Sequence, residues 1–400
     1  MKAKQSVCKG KGKGKGNSLF RDCNLYIIFS ITLIAIMGVA SISPALSIIM
    51  RELHISAQQI GLLITSFTVP GIFFTPVLGL LADHFGRKRI VLPSLFIFAL
   101  AGSACALTHD FYTLLLLRFV QGIGGAVLPA ITITLIGDLY TGQERDAAMG
   151  YNASVLSLSV AFYPVLGGFL ASIHWQYLFF LPLLALPVGF FVLFQLKAPE
   201  PESLNTHSFS DYLSGMWHII QQPKAVVLLL VSLTTFILLY GSYLTYFSLL
   251  LSQNFNASPK IIGLIMSGMA CTMACTASQM GRLTTYYSKK QLLLTAYILY
   301  AVALYLIPLV PNILVLLLPI ILLGIAQGLN VPTIHTLLTT LAPQEYRASF
   351  ISINNMVFRL GQTLGPLIMA LFFIFWGTDG VYFAGAGCAV LMLIPLALVL

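Results

Sequence analysis

Residues 79–88 read Gly79-Leu80-Leu81-Ala82-Asp83-His84-Phe85-Gly86-Arg87-Lys88, and residues 281–290 read Gly281-Arg282-Leu283-Thr284-Thr285-Tyr286-Tyr287-Ser288-Lys289-Lys290. Each stretch closes an apolar run and leads through a short basic link into the next. They stand 202 residues apart. At nearly the same offset Gln121-Gly122 recurs as Gln327-Gly328, Pro164 as Pro366, and Gln143-Glu144-Arg145 as Gln344-Glu345-Tyr346-Arg347. One such match could be chance, but four in register mark a duplication that divides the chain into similar halves.

The residues between these marks are strongly apolar. Of 400 residues, 58% are hydrophobic and 8% charged, against roughly 25% charged in a soluble domain. That much apolar surface belongs in a bilayer, where helices or closed barrels alone satisfy the backbone. Barrel strands would alternate apolar and polar; here the apolar runs are continuous, so helices are expected. Twelve runs reach about the ~20 residues a span needs. They lie at about 24–50, 59–81, 90–107, 112–137, 149–171, 177–195, 225–251, 259–280, 290–309, 312–337, 349–374 and 380–400. The predicted fold is an all-α membrane protein, with twelve transmembrane helices in two pseudo-symmetric six-helix bundles. Residues 1–23 form a disordered basic tail, 24–195 the first bundle, 196–224 a central loop and 225–400 the second bundle.

Charge sets the predicted orientation. The tail, Arg87, Lys88, Arg89, Arg145, Lys197, Lys224, Arg282, Lys289, Lys290 and Arg347 fall on one side, and Arg51 and Lys260 on the other. Both termini are therefore expected in the cytoplasm of a cell that carries the protein in its plasma or inner membrane. The lysine-rich tail suits attraction to anionic lipid, worth about 1 kcal/mol per Lys. Apolar residues at 209, 212, 213, 216, 217 and 220 repeat at helical spacing and suggest a short interfacial helix in the central loop.

Two similar bundles can rock about a site at their interface, which gives alternating access to a solute. No GxxxxGK[ST] loop for ATP is present. Gly122-Ile123-Gly124-Gly125-Ala126 lacks a preceding strand, so close helix packing explains it better than nucleotide binding. The six cysteines form no CxxC pair. Cys271 and Cys275 sit four apart on one helix face and read as small packing residues, so no metal site is expected.

At this point the residues resemble the major facilitator superfamily, most closely its twelve-span drug:proton antiporter group. Gly79-x-Leu81-Ala82-Asp83-x-x-Gly86-Arg87-Lys88-Arg89 is similar to its signature between spans two and three. Arg118-x-x-Gln121-Gly122-x-Gly124-Gly125-Ala126 resembles its span-four motif. Span five carries Ser159-x-x-x-Tyr163-Pro164-x-x-Gly167-Gly168, the second half of the antiporter pattern without its first two glycines. Span eleven carries the missing part as Gly361-x-x-x-Gly365-Pro366. The resemblance implies a cytoplasmic latch of Gly79, Asp83, Gly86, Arg87 and Lys88. Asp83 and Arg87 can pair at i,i+4, and Asp138 could share Arg87. Gly122, Pro164, Gly167, Gly168, Gly365 and Pro366 are expected to let helices approach or bend.

All twelve acids fall in loops or near helix ends, and none in mid-membrane. Arg118 is the one charge deep within a span of the first half, at a cost of at least ~2.5 kcal/mol by insertion scales. It needs a partner, and Gln121 is one turn away. Arg118, Gln121 and His335, the one histidine inside a span, are the coupling candidates. By resemblance, spans one, four, seven and ten line the cavity. Phe236, Tyr240, Tyr243 and Phe247 follow a 3.6-residue stripe that suits either cavity lining or packing. Gln327, Asn330, Asn355 and Arg359 are the polar cavity candidates. Such a cavity suits an apolar, neutral or anionic solute. The expected activity is secondary export of amphipathic or drug-like solutes, driven by a proton gradient, with no cofactor and no enzymatic step. Import or exchange of organic anions, and lipid flipping, are the alternatives. The expected partners are the small solute and the bilayer, with no nucleic acid, and the chain is expected to act as a monomer.

Overall fold

The computed structural model describes residues 22–196, 222–341 and 347–400, with the backbone alone for 347–349, 351 and 352. The basic tail, the proposed interfacial helix at 209–220 and the repeat Gln344-Glu345-Tyr346 lie outside the described residues. Among the described residues every regular element is helical. Ten spans are Cys23–Glu52, Ala57–Phe85, Arg87–Leu107, Phe111–Leu139, Gly142–Ile173, Trp175–Gln195, Pro223–Phe255, Pro259–Ser278, Lys289–Leu309 and Leu317–Leu341. The helix Arg347–Val399 is two spans broken at Gly377, whose φ of 66° and ψ of −158° are non-helical. Only glycine enters that region without strain. This brings the spans among the described residues to twelve.

Local chemistry sets the ends. Ser56 and Ser288 form capping boxes with Gln59 and Gln291, and Asp110 caps span four through the Thr113 N–H. Span ten starts at Leu317, later than the expected 312. The side chain of Asn312 accepts from the amides of Leu314 and Val315 at 3.1 and 2.9 Å, which holds a turn there. Span five starts at Gly142, earlier than the expected 149. Cys271 and Cys275 are exposed rather than packed.

Within the first half, span two packs on four, three on four, one on five and three on six. The second half repeats these pairings as eight on ten, nine on ten, seven on eleven and nine on twelve. Buried polar pairs repeat as well. Thr32 donates to Asn152 Oδ1 at 2.6 Å between spans one and five, and Ser232 to Asn354 Oδ1 at 2.8 Å between spans seven and eleven. Phe73, Tyr112, Phe194, Phe375 and Leu398 stand on the outside, more than 60% exposed. Lipid tolerates such a surface, and with no hydrophobic drive between spans, close packing and buried polar pairs hold the helices together.

Candidate functional site: the cleft between the halves

The halves meet mainly along two span pairs, two on eleven and five on eight, and the end of span one also touches spans seven and eight. On the first pair a Cβ at Gly61 would lie 3.1 Å from Pro366. Thr65 donates to the Thr363 carbonyl at 3.3 Å, and Thr363 Oγ1 to Thr68 Oγ1 at 3.1 Å. Farther along, Gly71 faces the Arg359 side chain. On the second pair the backbones touch. A Cβ at Gly168 would meet the Pro259 carbonyl oxygen at 2.2 Å, and one at Gly263 the Pro164 oxygen at 2.1 Å. Ser267 donates to the Ala161 carbonyl. Within each half, Gly167 packs as tightly against Ser41 and Gly122 against Phe67, and a Cβ at Gly365 would lie 2.8 Å from the Ile237 oxygen.

These contacts run from the Pro259 end to mid-membrane. The register of spans two and eleven (61 to 366, 71 to 359) would place Gly79 opposite span eleven two turns farther on. A Cβ at Gly79 has no atom within 4 Å, and neither does one at Gly281, its counterpart on the short helix Met280–Tyr286 that follows span eight. Asn355, one turn from Arg359 on the same face, is half-buried. The halves are therefore closed at the Pro259 end and separate toward the Arg87 end.

The charged cluster at the open end lies wholly within the first half. Gly86 turns the chain at φ 98° and starts span three at Arg87. Arg87 Nη1 pairs with Asp83 Oδ1, and its Nε with Asp138 Oδ2 at 3.1 Å. Lys88 Nζ donates to the Leu196 carbonyl at 3.3 Å. The ends of spans two, three, four and six are tied together here. Asp83 is 52% exposed and Asp138 34%, so each pair contributes about 1 kcal/mol at most.

Arg118 is fully buried. Its Nη2 donates to the Gly38 carbonyl at 2.7 Å, its Nη1 to Gln121 Oε1 at 2.7 Å and its Nε to the Leu63 carbonyl at 3.3 Å. The guanidinium also lies 4.4 Å from the Phe67 ring centre. Gly38 offers its oxygen because the Ile42 amide turns instead to Val39, where span one tightens before Pro44. Among the described residues no carboxylate pairs with Arg118. Peptide dipoles and a ring face hold the charge, and spans one, two and four meet on it.

Arg359 uses the same device across the halves. Pro129 interrupts span four, the Ala130 amide moves to Val127, and the Ala126 carbonyl is left without its helical donor. Thr75 Oγ1 takes one side of that oxygen at 3.0 Å and Arg359 Nη2 the other at 3.3 Å. Arg359 Nη1 donates to Gln362 at 3.3 Å.

The expected aromatic stripe divides in two. A π-helical stretch, Leu238–Thr245, carries Thr245 Oγ1 back to the Tyr240 carbonyl and shifts the register. Phe236 meets Phe358 at 4.3 Å, with Tyr240 and His335 beside them. Tyr243 turns away, donates to the Met266 carbonyl at 3.1 Å and stacks on Phe247. Gln327 and Asn330 also leave the cleft. Gln327 accepts from Tyr300, and Asn330 Nδ2 donates to Thr235 at 2.6 Å, both within the second half. The space beside Tyr243, Tyr300 and Gln327 is about 10 Å³, too small for a solute. Reading the sequence missed Phe358 and the Thr32–Asn152 and Ser232–Asn354 pairs. Asn152 and Asn354 stand at the repeat offset of 202, a signal that was available.

The family model described as Major Facilitator Superfamily matches residues 28–253 and 229–400. The chain belongs to the major facilitator superfamily. It is a multi-pass membrane protein of the superfamily's all-α fold. It is 25% identical over 356 residues to Multidrug resistance protein 1 of Bacillus subtilis (strain 168), covering 88% of this chain and 90% of that protein. It is 26% identical over 252 residues to Quinolone resistance protein NorA of Staphylococcus aureus (strain MRSA252), 61% of each chain. The crystal structure of a point mutant of nucleoside transporter NupG superposes with a TM-score of 0.81 at 13% identity, over 93% of this chain and 98% of that one.

Proposed function

We propose that the chain is a secondary exporter of small amphipathic, drug-like solutes, working by alternating access in the plasma membrane and driven by the proton gradient. The observation that carries the reading is the cleft: span pairs two–eleven and five–eight close it at the Pro259 end, and Gly79 and Gly281 face open space at the other. Similarity to multidrug resistance proteins supports export and a broad solute range. The basic residues Arg87, Lys88, Arg89, Arg145, Lys224, Arg282, Lys289 and Lys290 gather at the open end and support a cytoplasmic placing for it. The chain works as a monomer, since both halves of the cleft come from one chain.

A solute enters between the halves from the cytoplasm and meets Phe236, Phe358, Tyr240 and His335 beside Arg359. Closing the open end brings span eleven toward Gly79 and the Asp83–Arg87–Asp138 cluster. Arg359 makes neutral and anionic solutes better guests than strong cations.

Flux in proteoliposomes tests this. Neutral and anionic amphipathic dyes should move faster than in empty liposomes, and faster still with a pH gradient. Gradient-independent rates would remove proton coupling. No flux above empty liposomes for any solute would remove the exporter reading.

A further inference from the structure

The charged corner of the first half has a counterpart 202 residues on. Arg87 maps to Lys289, Lys88 to Lys290, Asp83 to Thr285, Asp138 to Thr340 and Asp22 to Lys224. The hydrogen-bonded frame is kept. Lys88 Nζ donates to the Leu196 carbonyl at the end of span six, and Lys290 Nζ to the Ala397 carbonyl at the end of span twelve, at 2.7 Å. Arg87 reaches Asp138, and Lys289 Nζ reaches Thr340 Oγ1 at 3.5 Å. The counter-charges are not kept. The two carboxylates that pair with Arg87 have become threonines, and Asp22, which accepts from the Tyr140 hydroxyl, has become Lys224.

A cavity of about 260 Å³ opens beside the counterparts of Asp138 and Asp22, lined by Lys224, Lys290 and Thr340 together with Leu228, Leu337, Leu341 and Leu400. No Asp or Glu is among the described residues that line it, and Lys224 makes no ion pair with them. Spans seven and nine both begin at this corner, at Pro223 and Lys289, so two helix N-termini add positive potential. The first half neutralises its corner internally. Among the described residues the second half keeps the same frame without those carboxylates.

We propose that this corner binds the phosphate of an anionic phospholipid, with its glycerol and upper acyl carbons on the leucines. The leucine floor and the place at the ends of two spans favour a lipid over free phosphate. On the orientation proposed above the site faces the cytoplasmic leaflet, where anionic headgroups and basic pockets meet. It is separate from the cleft and works as a lipid anchor of the second half.

Native mass spectrometry of the full chain in detergent tests the proposal without any flux readout, so its failure and that of the exporter reading are distinguishable. The chain should hold one phosphatidylglycerol in preference to phosphatidylcholine. Lys224→Gln, at an exposed side chain with no ion pair among the described residues, should weaken that retention about fivefold, and Lys224→Gln with Lys290→Gln about 25-fold. Lys224→Arg with Lys290→Arg should restore it, and Lys260→Gln at the opposite end should leave it unchanged. Equal retention of both lipids would overturn the proposal. So would equal retention by wild type and Lys224→Gln, or displacement of phosphatidylglycerol by millimolar inorganic phosphate.

Discussion

Arg359 on span eleven donates through Nη2 to the carbonyl oxygen of Ala126 on span four, at 3.3 Å across the boundary between the halves. The acceptor exists because Pro129 frees it from the helix, and Thr75 holds its other side. The contact sits where the halves stop touching and begin to separate. It joins them through a dipole and a charge without a carboxylate, so it can slide as the halves rock without leaving an unpaired buried acid.

Arg359→Gln removes this tie and one charge from the cleft. The expected loss of stability is about 1–3 kcal/mol, the range for a hydrogen bond to a charged group. Because the tie is made in the state that is open at the Arg87 end, labelling of Gly79→Cys by a water-soluble maleimide should become slower as that state loses population. An unchanged labelling rate would mean that the contact does not restrain the halves.

Gly263→Val puts a side chain where the Pro164 oxygen lies 2.1 Å from an ideal Cβ. Overpacking of this kind costs about 1–3 kcal/mol, and spans five and eight must part. Transport should be lost and the melting temperature should fall. Gly268→Ala on the same span meets nothing within 4 Å and should retain both. Equal behaviour of the two variants would contradict the backbone contact.

Arg118→Ala leaves the oxygens of Gly38 and Gln121 without their donor. Each orphaned buried acceptor costs about 1–3 kcal/mol, so thermal melting in detergent should show marked destabilisation. Arg118→Lys cannot spread three donors over three spans and should recover only part of it. A melting temperature for the alanine variant equal to wild type would rule out the structural node.

Asp83→Asn should cut turnover about tenfold, near 1.4 kcal/mol in barrier, with little change in KM and a stability loss under about 1 kcal/mol. Asp83 and Asp138 share Arg87, so a double-mutant cycle on turnover should be non-additive. Additive losses would mean that the two carboxylates act apart.

The twelve spans could be read from the sequence because each is a long apolar run, and their division into two halves followed from the repeat. The Asp83–Arg87–Asp138 cluster could be read because an i,i+4 spacing and helix ends limit where charges go. Side-chain direction inside the second half could not. The π-helical stretch at Leu238–Thr245 breaks the periodicity that predicted one aromatic stripe, and helical spacing does not signal it. Gln327 and Asn330 face Tyr300 and Thr235 because buried amides go to the nearest donor or acceptor, which depends on packing. Gln121 could be read as a partner of Arg118 from its spacing, but the peptide oxygens of Gly38 and Ala126 that Arg118 and Arg359 also use, freed by a tightened turn and by a proline, are invisible in residue identities.

The central claim is that the halves rock, with the Pro259 end and the Arg87 end opening in turn. Distance measurement by double electron–electron resonance tests it most directly, on a chain freed of native cysteines and spin-labelled at Ser154→Cys and Ser278→Cys. Both positions are exposed, on spans five and eight near the Arg87 end. Two distances are expected, with the shorter one gaining population when a transported solute and a pH gradient change. A single distance that stays fixed while the labelled protein transports would contradict it.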